Sequence, residues 1–392
     1  MRPLPTLHWL LACQALSTLA AMSLLPVMPL YVATLHGVRP AAVAAWSAAA
    51  LAAPAVGTLL LGGIAGRCCD RHGSGRVIAI ACGVFAVALL IICLGEHPAS
   101  LLLGRVLQGL SVLGVGLTIA AVETNAAAPG PALGRMESAT AIGALCGPAL
   151  GGLALQADAL RQLLLACAVL MALMAYRFWS AHAGANAAAR IPPAAAIGRW
   201  PGASLRWLAA LLLVQAAAFA VVAAFALYLA ERFARLPGLP GWLGVLHAGA
   251  WAATLVAAPL WGRYNDPRRA RRLFCLGASG CAACLWALAA STSLWQVALL
   301  RLLLGACYAA LAQSALVALA SAFDPRSRGA ALGSSRSVAA LGQLLGPLLV
   351  TALQPWWSTS RLLAAVGLLF AAAALLSPRR PTPSRSLPEV AP

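Results

Sequence analysis

The chemistry open to this chain is limited first by its acids. Nine carboxylates are spread over 392 residues, and a carboxylate held away from water is the kind of group that takes up or gives off a proton when its surroundings change. Glu96, Asp158, Glu231, Asp324 and Glu389 fall in connections, at a helix end or in the tail. Asp70 and Asp266 belong to two related turns. Glu123 and Glu137 remain, each placed at the end of an apolar helix. Arg336 follows Glu137 by 199 positions, an offset that returns below, and the two are expected to form a salt bridge. The other polar side chains inside apolar stretches are Arg105, Gln108, Arg301, His247, Gln14, Ser17, Thr18, Tyr31, Gln215, Tyr228, Gln313 and Gln343. Such a lining suits a neutral or anionic small molecule rich in hydrogen-bonding groups better than a lipophilic cation. His247 has a side chain that titrates near neutral pH, although a single helical histidine is more often a packed polar residue.

No metal or cofactor is expected. Cys281 and Cys284 form a C-x-x-C pair within an apolar helix, but no second ligand pair accompanies it, so the eleven cysteines read as small apolar filler. Phosphate-binding loops, Ser/His/Asp sets and zinc-binding helices are absent from the sequence. A membrane enzyme or receptor would need a catalytic cluster or a soluble sensing domain, and neither is visible.

The elements that hold these residues must be membrane helices. The apolar share is 62% and the charged share 9%, with a mean hydropathy of +0.87. Soluble domains run at roughly 45–50% apolar and about 25% charged. Apolar runs starting near residues 7, 41, 77, 100, 136, 162, 207, 243, 273, 295, 331 and 362 give twelve spans, each long enough for the bilayer. The net charge of +18 comes entirely from arginine, since the chain has no lysine. With the N-terminus inside, twenty of the 27 arginines fall in inner segments, five in outer segments and two within helices. The positive-inside rule then puts both termini in the cytoplasm and removes nucleic acid as a partner. The first apolar run, Thr6 to Met28, is read as a span rather than a cleaved leader.

An internal repeat organises the spans. Trp46, Gly66, Arg67, Asp70 and Arg105 recur 196 positions later as Trp242, Gly262, Arg263, Asp266 and Arg301. Leu133, Gly134, Ser138, Gly143, Gly147 and Pro148 recur 199 positions later as Leu332, Gly333, Ser337, Gly342, Gly346 and Pro347. The expected architecture is an all-α membrane protein of two six-helix bundles, residues 1–179 and 205–378, joined by an inner loop at 180–204 and followed by a tail at 379–392. A site at the midplane between parallel repeats, exposed to either side by rocking, follows from that plan.

Three motifs sit on this frame. The turn between the second and third helices is Gly66-Arg-Cys-Cys-Asp70-Arg71-His-Gly73-Ser-Gly75-Arg76. Alone it could be a solvated basic loop; its recurrence at Gly262 and Asp266 favours a structural gate. On the fourth helix Arg105 stands one turn before Gln108 and Gly109, which favours a polar interior over snorkelling to the interface. On the fifth helix Gly143, Gly147 and Gly151 make a flat stripe for close helix packing, with Pro148 bending the rod and Gly152 beside it. Glu123, 18 residues after Arg105, emerges about 27 Å further along its helix axis, near the loop of Asp70 and Arg71.

On these residues the chain resembles the major facilitator superfamily. Its loop signature between helices 2 and 3 matches at Gly66, Asp70, Arg71 and Gly73, departs at Ser74 and Gly75, and is degenerate in the second copy at Pro267 and Arg269. Arg105, Gln108 and Gly109 match the signature of helix 4. The resemblance implies that Asp70 latches the two halves in an outward-facing state, and that Glu123 completes a charge relay with Arg71. The string Gly143, Gly147, Pro148, Gly151, Gly152 is similar to the family's antiporter motif and implies export. The first and seventh helices are read as free of acids, whereas carriers of cationic drugs in this family commonly place one there. The expectation is a monomeric, proton-coupled exporter of the bacterial inner membrane for a small polar or anionic molecule such as a siderophore, with a multidrug or sugar efflux carrier as the alternative.

Overall fold

The structure is a computed structural model that describes residues 6–25, 27–183, 200, 202–233 and 239–378. Both chain ends, Pro26 and most of the loop expected at 180–204 lie outside the described residues. On either side of that loop one helix ends at Ala183 and the next begins at Gly202.

The first half contains α1 (Leu7–Ser23), α2 (Met28–Ala33), α3 (Val43–His72), α4 (Ser74–Leu94), α5 (Pro98–Leu110), α6 (Leu113–Thr124), α7 (Pro129–Gln156) and α8 (Leu160–Ala183). The second contains α9 (Gly202–Arg232), α10 (Leu239–Tyr264), α11 (Ala270–Ala289), α12 (Leu294–Tyr308), α13 (Leu311–Ala322), α14 (Arg328–Leu353) and α15 (Thr359–Leu376). No strand occurs among the described residues. Among the described residues, eleven helical segments are long and apolar enough to cross a membrane, and α1 is a shorter apolar helix. The expected twelve passes are present, with the first, fourth and tenth each made of two consecutive helices.

The break in the fourth pass had no signal in the sequence. Val112 joins α5 to α6 with φ 46° and ψ 29°, a left-handed conformation that a β-branched side chain resists. The turn between α3 and α4 is legible: Gly73 alone separates them, at φ 86°, where a side chain would be strained.

Large apolar side chains face outward along the passes, among them Leu60, Leu94, Leu153, Val256 and Leu368, the inverse of a soluble protein and the surface a bilayer covers. Inside, each half has its own core. One is built around Leu10, Cys82, Leu89, Leu117 and Leu164. The other is built around Phe225, Tyr228, Phe274, Leu285 and Phe370, and reaches into the first half through Ala65, Cys69 and Ile119. That continuity occurs at the end of the molecule that carries the Asp70 turn.

Candidate functional site

The residues read as a gate lie where the halves meet. Asp70, in the last turn of α3, accepts hydrogen bonds from the first backbone N–H groups of α14: Gly329 N to Oδ1 and Ala330 N to Oδ2, each 2.8 Å. A carboxylate at a helix N-terminus satisfies orphan donors and faces the positive end of the helix dipole. Beneath it the helices nearly touch. A Cβ on Gly66 would lie 2.1 Å from Gly329 O, and one on Gly333 would lie 2.3 Å from Gly62 O. Ser337 Oγ donates to Thr58 O at 3.2 Å and accepts from Gly63 N at 3.2 Å.

The repeat reproduces half of this arrangement. α7 and α10 close in the same way: a Cβ on Gly134 would lie 2.6 Å from Ala258 O, a Cβ on Gly262 would lie 2.8 Å from Gly130 O, and Ser138 Oγ donates to Leu255 O at 3.0 Å. Asp266, however, does not join the halves. It stays within its own half, accepting from Arg268 N and Arg269 N in the turn before α11 at 2.8 Å each, with Arg269 also 3.5 Å away as an ion pair. The reason is local. Pro267 disfavours helical backbone at the residue before it, so α10 stops at Tyr264 and Asp266 falls in the turn between α10 and α11 rather than at the end of α10.

The expected relay is also rearranged. Glu123 accepts a hydrogen bond from Ser74 Oγ at 2.5 Å and interacts electrostatically with Arg328. Arg71, its expected partner, is exposed and forms no ion pair among the described residues. Because Gly73 turns the chain sharply, it is Ser74 at the start of α4, not Arg71, that meets the end of α6.

The glycine stripe of α7 packs on α1. Added Cβ atoms at Gly143, Gly147 and Gly151 would lie 2.5 Å from Ala15 O, 2.8 Å from Leu19 O and 1.9 Å from Ser23 O, while Gly152 has nothing within 4 Å. Pro148 lies inside the helix. Gly342 and Gly346 repeat the contact on α9, at Leu212 O and Ala216 O.

Glu137 is not at a helix end. The stretch Pro129-Gly-Pro131 reads as a loop but forms the first turn of α7, so Glu137 lies about two turns inside. It stands beside Ser138, at the level of the last contacts between the halves, and Arg336 stands beside Ser337 on α14. The expected salt bridge is not formed. Arg336 interacts electrostatically with Glu137, but its Nη2 donates to Thr118 Oγ1 on α6 at 2.6 Å, and its buried Nε has no partner. Among the described residues, no hydrogen bond or ion pair reaches the Glu137 carboxylate. Tyr308 interacts with Gln215 and lies within electrostatic reach of both. Thr118 and Tyr308 had not been singled out in the sequence, since neither has a distinctive spacing.

The other candidates divide. Arg105 is buried in its own half, its Nε donating to Ala50 O at 3.0 Å and its Nη1 to Gln108 Oε1 at 2.8 Å. Arg301, also buried, lies over the Phe225 ring at 4.5 Å and reaches His247 Nδ1 at 3.3 Å, while Trp251 donates to His247 Nε2 at 3.3 Å. Among the described residues, no carboxylate pairs with either arginine. Gln14 is half-buried between α1 and α7, donating to Thr18 and Thr140. Tyr31 and Tyr228 are not cavity groups: they are symmetry-related clips whose hydroxyls donate to Ile92 O at 2.8 Å and Ser291 O at 3.1 Å. Both are buried, because the ends of α4 and α11 leave carbonyls that need a donor. α1 carries no acid, but α9 extends far enough to include Glu231 in its exposed last turn.

Comparison with known proteins places this geometry. The model of the Major Facilitator Superfamily matches residues 10–229 and 207–392. The chain is 28% identical over 371 residues to a staphyloferrin B transporter of Staphylococcus aureus, covering 90% of this chain and 87% of that one. It is 24% identical over 343 residues to the multidrug resistance protein MdtG of Salmonella dublin, 85% of each chain. Among solved structures, the fold is shared with the human organic anion transporter MFSD10 (TM-score 0.76, 17% identity, 95% of this chain and 100% of that one). It is shared as well with the proton:xylose symporter XylE (TM-score 0.71, 15% identity, 94% of each chain).

Proposed function

Because the chain belongs to the major facilitator superfamily, and is therefore a multi-pass membrane transporter, we propose that it is a proton-coupled exporter of a small polar anion of the siderophore class. In this reading it acts as a monomer in the bacterial inner membrane with both termini in the cytoplasm. The observation that carries it is the charge inventory of the interior. Arg105 and Arg301 are buried without an acidic partner, and Arg336 shares the space between the halves with one carboxylate, Glu137. Cations inside a membrane protein cost several kcal/mol, and an anionic ligand offsets that cost where the protein supplies no anion. The similarity to a staphyloferrin B transporter supports the same substrate class.

The hydrogen bonds between the halves lie on the Asp70 side. With that side cytoplasmic, as the arginine distribution favours, the state is outward-facing and the Asp70 contact is its latch. A multidrug reading draws on the similarity to MdtG, but a lipophilic cation would meet three arginines and a single interior acid. Deleting the gene in iron-starved cells is expected to lower the extracellular chelator while chelator accumulates inside. Unchanged secretion overturns the siderophore reading, and proton movement independent of substrate in inverted vesicles overturns the coupling.

A further inference from the structure

Glu137 on α7 and Arg336 on α14 carry opposite charges, belong to different halves and interact electrostatically, yet they do not pair. Each is half-buried. The carboxylate has no hydrogen-bond or ion-pair partner among the described residues. The guanidinium is drawn aside by Thr118 and keeps a buried Nε without an acceptor. In surroundings poor in water two such charges attract strongly, so a geometry that holds them near but apart leaves each with unspent capacity. Arg336 can take a carboxylate through its remaining donors, and Glu137 can accept from an ammonium.

From this we infer that Glu137 and Arg336 bracket a zwitterionic group of the substrate, an ammonium on Glu137 and a carboxylate on Arg336, as in an α-amino acid end. The inference rests on the export reading and sharpens its substrate class.

Charge balance gives a second reason. The ionisable side chains that interact with Glu137 are Arg336 on α14 and Tyr308 on α12. The helices packed on α7, which include α1, α6, α8, α10 and α13, add no other. A ligand that engaged Arg336 alone would strip Glu137 of its counter-charge and draw a proton onto it, so anion and proton would move together. A proton-driven exporter needs the opposite. A ligand whose own ammonium sits on Glu137 takes the proton's place, so proton and substrate exclude one another.

The test uses two four-carbon probes on the purified full-length protein in lipid nanodiscs, L-aspartate and succinate, at equal ionic strength, with binding read from thermal unfolding. Aspartate is expected to bind about tenfold more tightly than succinate, the factor that one hydrogen bond to a charged group supplies. Glu137→Gln should erase that advantage and keep the succinate response, which also shows that the variant is folded. Arg336→Gln should weaken both, and Arg336→Lys should restore part of each. An aspartate response no better than that of succinate in the unmodified protein, or an advantage that survives Glu137→Gln, overturns the inference. If gene deletion leaves chelator secretion unchanged while the aspartate advantage holds and depends on Glu137, the export reading fails and the site stands. If secretion depends on the gene and the advantage is missing, the site alone fails.

Discussion

Asp70 and Asp266 occupy the same place in the repeat, yet one bonds across the halves and the other bonds to the turn that follows it, so replacing each by alanine should have different effects. Asp70→Ala removes two 2.8 Å hydrogen bonds to α14 together with a carboxylate at a helix N-terminus. Bonds to charged groups contribute about 1.5 to 3 kcal/mol each, and loss of an N-terminal cap costs about 0.5 to 2 kcal/mol. Asp70 is only half-buried, so water replaces part of what is lost, and about 2 kcal/mol is a reasonable net. That is a factor of about 30 in the equilibrium between the closed and open forms of this end. If the closed form starts at about 99%, the open form rises from about 1% to about a quarter of the population. Nitroxides at His72→Cys and Arg326→Cys, both exposed, in a background with the native cysteines replaced, would report the change by pulsed EPR as a second, longer distance. Asp266→Ala should leave the distribution unchanged while lowering stability modestly. A single short distance in Asp70→Ala, or equal changes in the two variants, would refute the assignment of the latch to one copy.

Further outcomes follow from single contacts. Gly151→Ala should destabilise by about 1 to 3 kcal/mol, the usual cost of overpacking, because its Cβ would lie 1.9 Å from Ser23 O; Gly152→Ala, with nothing within 4 Å, should melt with the unmodified protein. Gly66→Ala should shift the pulsed-EPR distribution toward the open form as Asp70→Ala does, since its Cβ would collide with Gly329 O. Tyr228→Phe should cost about 1 kcal/mol of stability and leave the transport KM alone, whereas a changed KM at normal stability would return Tyr228 to the substrate path.

Which of these features were readable in the sequence depends on whether a local signal or a partner decides the position. The duplication was readable because Trp, Asp and Arg are scarce in an alanine-rich chain, so five identities at one offset stand out. The α7 stripe was readable because spacing alone defines a helix face. The depth of Glu137 was not, because Pro129 and Pro131 look like loop residues, although proline fits the first turn of a helix, where its missing N–H is not needed. The partner of Glu123 was not readable either, since the choice between Arg71 and Ser74 depends on the direction in which Gly73 turns the chain.

The two copies of the repeat show what duplication preserves. Close approach needs only small residues, and Gly66 with Gly333 has its counterpart in Gly262 with Gly134. The cap needs a helix that continues up to the aspartate. One proline after Asp266 ends that helix early, and the carboxylate turns to its own chain. Among the described residues the joint between the halves thus has two near-equivalent packing surfaces and two hydrogen-bonded charged contacts, Asp70 with the start of α14 and Arg336 with Thr118, and both involve α14. Arg336 lies two turns along α14 from the residues Asp70 holds, about 10 Å by helix rise. The backbone that Asp70 holds and the Arg336 guanidinium therefore belong to one helix, α14, so in the proposed reading the gate and the charged site share one element.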